Sequence, residues 1–417
     1  MMTRKAVVYA LLGLFAVLLA IPTQNYQVLV VGLLLLAFLL VALYRRPTGL
    51  AVARSSGGGR LFEGDTRQTD LRVKNITVRT SGLLEVYDDL SDRLRIQSGH
   101  NRAVCVLPPA GDLKLRYGVE APLRGYHSIG PVSVCEEEAL GFSRWETPLG
   151  DPERLEVLPH TENVEEFASR SRRVRPFPGP MLCRRPGPGM EFYRIRDYIK
   201  GDPLRNINWK LLAKRRELMV NDYEKEALSD VIIIIDAREV GNCGTVSCNP
   251  LEYGVKGAAS LARYFIYRRD KVGLVIYGKG VESIPPGAGG HHLDTLVAHL
   301  TAVEGAGTTT FGEAMKLVGP YLAPGTALVL ITPLEFDPTL TPKVTELLVS
   351  GHPVIILSPG PFQFETVVAG TANPKYRLLR MERQNFMDNL RSFGVEVVDW
   401  TPEMKVWELI ERCEHAR

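Results

Sequence analysis

Val231-Ile232-Ile233-Ile234-Ile235-Asp236 is the stretch that decides the fold of the larger part of this chain. Five β-branched residues in a row, with no polar alternation, read as a strand buried on both faces, as in a parallel sheet covered by helices. Asp236 closes the run at the strand's carboxyl end. Outward from it, strand and helix alternate. A helix is expected at Leu251–Arg268, a strand at Val272–Tyr277, helices at Leu293–Val303 and Phe311–Tyr321, and a strand at Ala327–Thr332. Next come a helix at Val344–Val349, a strand at Val354–Ser358 and a helix at Lys375–Phe393 with Leu379, Phe386, Leu390 and Phe393 on one stripe. A strand at Val395–Trp400 and a closing helix complete the pattern. This alternation predicts a doubly wound parallel α/β sheet over residues 229–417. Ligands of such sheets sit beyond the carboxyl ends of the strands, which singles out Asp236 and Thr332.

Upstream, residues 48–160 carry period-two alternation, as at Leu113, Leu115, Tyr117 and Val119, punctuated by Gly, Pro and Asn. That predicts a β-sandwich domain. Residues 1–47 hold two uncharged apolar runs, Ala6–Ile21 and Val28–Tyr44, each reaching about 25 Å, joined by a polar turn without charge. A transmembrane helical hairpin fits, and Arg4-Lys5 before it with Arg45-Arg46 after it predict both ends in the cytoplasm. A signal peptide followed by a stop-transfer anchor is the alternative, and it also leaves the body inside. The sequon Asn75-Ile76-Thr77 is then expected to stay unmodified.

The 417 residues carry a formal charge of +3, with 45% hydrophobic and 23% charged residues, which excludes overall disorder. Six scattered cysteines exclude a disulfide framework, and Cys243 with Cys248 have no His beside them to complete a zinc site. The charge is uneven: Ser169–Arg216 holds fourteen Lys/Arg against three acids, a surplus of eleven. Residues 161–228 therefore read as a basic connector, irregular where Pro and Arg dominate. Its cations suit an acidic protein or anionic lipid; nucleic acid lacks a stacking platform or recognition helix here. No phosphate loop, nucleophile elbow or H-E-x-x-H pair marks an enzyme.

The end of that connector, Tyr193-Arg-Ile-Arg-Asp-Tyr-Ile-Lys-Gly-Asp-Pro-Leu-Arg-Asn-Ile-Asn-Trp-Lys210, resembles the signature of the family called domain of unknown function 58. Arg196, Tyr198, Gly201, Asp202, Arg205, Ile207 and Trp209 match its R-x-Y-x-x-G-D-x-x-R-x-I-x-W pattern, with Asn208 inside it, and Leu123-Arg124-Gly125-Tyr126 with Gly130-Pro131 resembles a second family stretch. The resemblance implies a membrane-anchored protein with a von Willebrand factor A-like domain, a scaffold or adaptor working with a MoxR-type AAA+ ATPase. It also implies a Mg²⁺ site built from D-x-S-x-S, a Thr and a distant Asp. Here Ala237, Arg238, Glu239 and Val240 follow Asp236, so both serines are absent, and Pro333 stands where the third acid is expected. Thr308 and Thr309 survive on the second loop. No bound metal is expected from this degenerate set, since hard cations need several oxygen ligands. A metal-dependent enzyme using Asp236 and the Thr308–Thr310 loop is the alternative to the adaptor. For the signature two readings stand: Arg196, Asp202, Arg205 and Trp209 form a docking or catalytic constellation, or Asp202 pairs with an Arg at a turn while Trp209 fills the seam between domains.

Overall fold

The computed structural model describes residues 3–44, 47–57, 60–138, 140–162, 186–224, 230–239, 244–335, 337–361, 374–401, 404–406 and 408. The chain falls into two units, Met1–Leu158 and Pro159–Arg417. The expected positions of Val240, Cys243, most of the Pro/Arg-rich stretch and the body of the closing helix lie outside the described residues.

The first unit opens with two antiparallel helices, α1 (Arg4–Thr23) and α2 (Tyr26–Leu43). Thr3 and Asn25 cap them by accepting from the amides of Ala6 and Gln27. The helices approach closely because Gly32 has no Cβ: one there would lie 3.0 Å from the Gly13 carbonyl oxygen and 2.9 Å from the Val17 nitrogen. α1 is long and apolar enough to cross a membrane, with a mean hydropathy of 2.3, and α2 is a shorter apolar helix by the same measure.

A two-sheet sandwich follows. One sheet is ordered β1 (Leu50–Ser56), β3 (Thr66–Asn75), β7 (Asp112–Glu120), β5 (Arg95–Gly99). The other is ordered β2 (Leu61–Phe62), β10 (Glu153–Leu158), β8 (Gly125–Glu137), β4 (Leu83–Leu90), β6 (Arg102–Cys105), with β9 (Arg144–Leu149) paired to β8. Strand alternation sends Leu71, Val73, Tyr117 and Val119 from one sheet, and Val86, Val132, Val134 and Val157 from the other, into one core. Asp88 within it is held by Arg54 and by the Tyr117 hydroxyl at 2.6 Å, and burial together with that carboxylate pushes the Tyr117 phenol well up. The Asn75 side-chain amide is buried and donates to the carbonyls of Arg79, Leu107 and Pro108, so the sequon nitrogen is consumed inside the fold. Phe142, on the loop before β9, sets its ring edge-on to Tyr9 of α1 and Phe38 of α2, 5.0 and 6.2 Å between centroids.

The second unit begins with a two-stranded antiparallel sheet, β11 (Pro186–Asp197) and β12 (Met219–Glu224), enclosing helix α3 (Trp209–Arg215). An irregular connector was expected over Pro186–Gly189; β11 instead starts there, because its Pro and Gly residues lie next to an irregularity in the pairing where ladder bonds are dispensable. Beyond it, six strands are ordered β15 (Val281–Gly287), β14 (Lys271–Tyr277), β13 (Asp230–Asp236), β16 (Ala327–Ile331), β17 (Val354–Pro359), β18 (Glu396–Trp400). All pair in parallel except β15, an antiparallel edge strand that the expected all-parallel sheet lacks. Pro285 and Pro286 within it lack amide donors, which an edge strand tolerates.

Helices cover both faces. Val231, Ile233 and Ile235 of β13 point to α4 (Pro250–Tyr267) and α5 (Gly290–Ala302). Ile232 and Ile234 point to α6 (Phe311–Val318), α7 (Leu340–Val349) and α8 (Pro374–Ser392). On α8 the buried face runs through Arg383, Met387 and Leu390; Phe393, expected on that stripe, falls just past the helix and is 48% exposed. The side chain of Leu379 lies outside the described residues.

Candidate functional site

Two clusters gather the residues that the sequence singled out. The first lies where β13 and β16 end. Asp236 is the last residue of β13, and both of its oxygens are occupied. Arg238 reaches back across one residue to donate from Nε to Oδ1 at 2.9 Å and from Nη2 to Oδ2 at 2.6 Å. Its backbone amide adds a bond to Oδ1 at 3.2 Å, and Thr332 Oγ1 donates to Oδ2 at 2.7 Å. Four donors fill the four lone-pair positions of a carboxylate. Pro333 is not the end of the third loop's chemistry: Asp337, four residues on, turns inward so that its Oδ2 lies 3.7 Å from Arg238 Nη1. Asp337 also accepts from the amides of Phe311 and Thr339 and from Thr339 Oγ1 at 2.8, 2.9 and 2.6 Å. In sequence Asp337-Pro338-Thr339 shows only an acid positioned to bond the backbone two residues on, with nothing to mark its approach to Arg238.

Burial disfavours the charge of Arg238, and the Asp236 carboxylate overcomes it, so the guanidinium is held above its ordinary value. Beneath it lies Tyr277, fully buried, its ring centroid 5.8 Å from the guanidinium carbon; burial and the nearby Asp236 charge push its phenol well up. Thr308 is exposed and Thr309 half-buried; Thr309 donates its amide to the Gly278 carbonyl at 3.0 Å, and Thr310 caps α6 in a capping box with Glu313. The residues present do not fit a divalent cation, because a guanidinium takes the carboxylate that would hold it. Among the described residues no group of three or more His, Cys, Asp or Glu converges as a metal site.

The second cluster is the signature. Arg196, on β11, forks onto Asp202 with two bonds of 2.7 Å and turns its Nε to Asp222 of β12 at 3.1 Å. Asp202 in turn accepts from the Ile199 amide at 2.9 Å, closing the turn that Gly201 makes at φ +114°. Arg196 and that amide hold the Asp202 carboxyl down at about 2. Asn208 caps α3 through the Leu211 amide and bonds Asn221 of β12, while Ile207 is buried against Val220. Tyr198 is half-buried and joins Leu218 through its backbone. Arg205 is exposed on a short 3₁₀ turn, Leu204–Asn206. Trp209 starts α3 with 62% of its surface exposed, so it fills no seam; position N1 of a short helix points it outward. The structure thus brings Arg196, Gly201, Asp202 and Asn208 into one framework and leaves Arg205 and Trp209 on its outside.

Residues 194–333 match the sequence model of the family described as "Protein of unknown function DUF58", a span that starts inside the signature and ends just past Thr332. No curated protein matches the chain. Among solved structures, native α2-macroglobulin from Escherichia coli is similar over 27% of this chain and 7% of its own, at 21% identity and a TM-score of 0.21. A CARDB domain from Pyrococcus furiosus is similar over 27% of this chain and 90% of its own, at 13% identity and a TM-score of 0.20. One chain of the human complex of zinc α2-glycoprotein with prolactin-inducible protein is similar over 26% of this chain and 93% of its own length, at 14% identity and a TM-score of 0.20. This chain spans only 7% and 17% of the two Escherichia coli structures matched first.

Proposed function

We propose that this chain is a membrane-anchored adaptor whose docking face is the 198–210 excursion between β11 and β12, presented to a protein partner in the cytoplasm. The observation that carries the reading is the exposure of Ile199, Leu204 and Trp209, at 63%, 68% and 62%, on a turn framed by the Arg196–Asp202 fork and the Asn208 cap. Apolar side chains of that size on a braced turn mark an interaction site, and Trp and Arg are the types that carry binding energy at interfaces. Lys200, Arg205 and Lys210, all exposed, interleave with them and suit a partner with an acidic surface. Supporting the anchor, Leu11, Phe15, Leu34 and Leu40 of the helical pair are 60%, 64%, 63% and 67% exposed, a surface suited to lipid. The cations flanking the pair and the uncharged turn within it support a cytoplasmic body. The doubly wound order of the six strands supports a von Willebrand factor A-like reading of the α/β domain, and with it a MoxR-type AAA+ ATPase as the first partner to try.

A photoreactive residue at Leu204 of the full chain in intact cells tests this. The expected product is a crosslink to a protein with an acidic face, the ATPase first among candidates. Crosslinks to lipid alone, or none, would contradict the docking face. Reporter fusions after Arg417 are expected to be active in the cytoplasm, and activity only outside it would overturn the orientation.

A further inference from the structure

The cluster at the ends of β13 and β16 raises a question that the adaptor reading does not answer: why a guanidinium lies where it does. Asp236 and Asp337 are each 2% exposed at the side chain, and Arg238 is 4% exposed. Two carboxylates in so dry a place need a cation. Each belongs to a different loop. Asp236 leads the loop after β13, and Asp337 ends the loop after β16. A third loop, 306–310, is stitched to the first by Ala306 N–H donating to the Ala237 carbonyl at 2.9 Å and Glu239 N–H to the Gly307 carbonyl at 3.2 Å. It is stitched to the second through the Phe311 amide on Asp337 and the Gly312 amide on Thr339 Oγ1 at 2.9 Å. The guanidinium stands among them, forked onto Asp236, 3.7 Å from Asp337, and donating to the Glu335 carbonyl at 3.2 Å.

Over the Tyr277 ring, the polar partners of that group are hard oxygen: two carboxylates, a backbone carbonyl and, through Thr332, a hydroxyl on the shared Asp236 oxygen. That donor chemistry is what Mg²⁺ and Mn²⁺ take. We propose that Arg238 is a resident cation that fixes the three loops in a metal-independent arrangement, and that the oxygen set behind it takes a divalent cation only when the guanidinium is removed. Replacing Arg238 with serine removes the positive charge and adds a hydroxyl two residues after Asp236, leaving two buried carboxylates with nothing to neutralise them. A divalent ion then becomes the favourable occupant, and its binding stabilises the folded state by mass action.

The test uses the full chain in detergent, as parent, Asp236→Asn, Arg238→Ser, Arg238→Lys and the double variant Arg238→Ser with Asp236→Asn. Each is heated in chelator and in millimolar MgCl₂ or MnCl₂, and free Mn²⁺ is followed by its electron paramagnetic signal. The parent is expected to unfold at the same temperature in both conditions and to remove no Mn²⁺ from solution. Arg238→Ser is expected to unfold several degrees lower in chelator, recover most of that loss with either ion, and bind one Mn²⁺ per chain. The double variant loses that binding. Arg238→Lys keeps a charge without the fork, so it is destabilised and gains no response to metal. Mn²⁺ binding by the parent that Asp236→Asn abolishes would overturn the proposal. So would an Arg238→Ser chain that folds without responding to metal, or one that folds in neither condition.

Discussion

Two arginine–carboxylate forks in this chain, Arg238 gripping Asp236 through Nε and Nη2 and Arg196 gripping Asp202 through both Nη atoms, lie in opposite surroundings. Arg238 with Asp236 is 4% and 2% exposed, whereas Arg196 with Asp202 is 27% and 15% exposed. Burial decides what each fork does. In the sheet domain the pair sits among strand ends and the loops that follow them, over the Tyr277 ring, and taking away one partner strands a charge in a dry place. On the hairpin, water reaches the pair and screens it, so its effect is to fix the shape of a turn whose other side chains face outward.

The strongest way to break that contrast is Arg238→Ala, expected to cost about 3–5 kcal/mol in urea unfolding because Asp236 and Asp337 lose their cation. A loss no larger than that of Arg196→Ala would remove the distinction. Two glycines sharpen it next. Gly307 sits at φ +81° with a virtual Cβ 2.3 Å from the Gly278 carbonyl oxygen, whereas Gly201 sits at φ +114° with nothing within 4 Å. Gly201→Ala meets only conformational strain, about 1–3 kcal/mol, and Gly307→Ala adds a backbone collision to the same strain. Equal losses in thermal unfolding would mean that the loops of the sheet domain yield as easily as the turn.

A smaller effect separates the forks by pH. The folded Asp202 carboxyl is held at about 2, below its ordinary 3.8. A depressed carboxylate contributes stability that is fully present above the ordinary value and lost as pH falls towards the folded one. The parent is therefore expected to lose unfolding temperature between about pH 4 and pH 2 more steeply than Asp202→Asn. Parallel curves would place the acid sensitivity elsewhere. The smallest change in stability belongs to Trp209→Ala, within about 0.5 kcal/mol, because the side chain lies mostly in water.

The same contrast explains what the sequence could reveal. The run Val231–Ile235 shows in sequence both the buried strand and the two covered faces, and Asp236 marks the end where loops gather. The signature pattern points to Arg196, Gly201, Asp202 and Asn208 because turn chemistry is local: a carboxylate three residues after an amide, a glycine at positive φ, a cap before a helix. Asp337 stays hidden because a loop of four residues beyond Pro333 carries it back, and nothing local encodes that return. Arg238 in sequence is only one of the residues standing where the serines are expected; the structure makes it the cation, since its reach onto Asp236 depends on a side-chain path. β15 and the start of β11 are masked by Pro and Gly, residues that strand edges and irregular pairings accept.

The claim on which the account turns is that the exposed turn docks a partner while the buried fork holds the fold. The most direct measurement pairs the Leu204 photocrosslink with thermal unfolding in the parent and in Trp209→Ala, both as full chains in membranes. Trp209→Ala is expected to unfold with the parent and lose the crosslinked partner. A Trp209→Ala chain that keeps the crosslink at the parent's yield would contradict it.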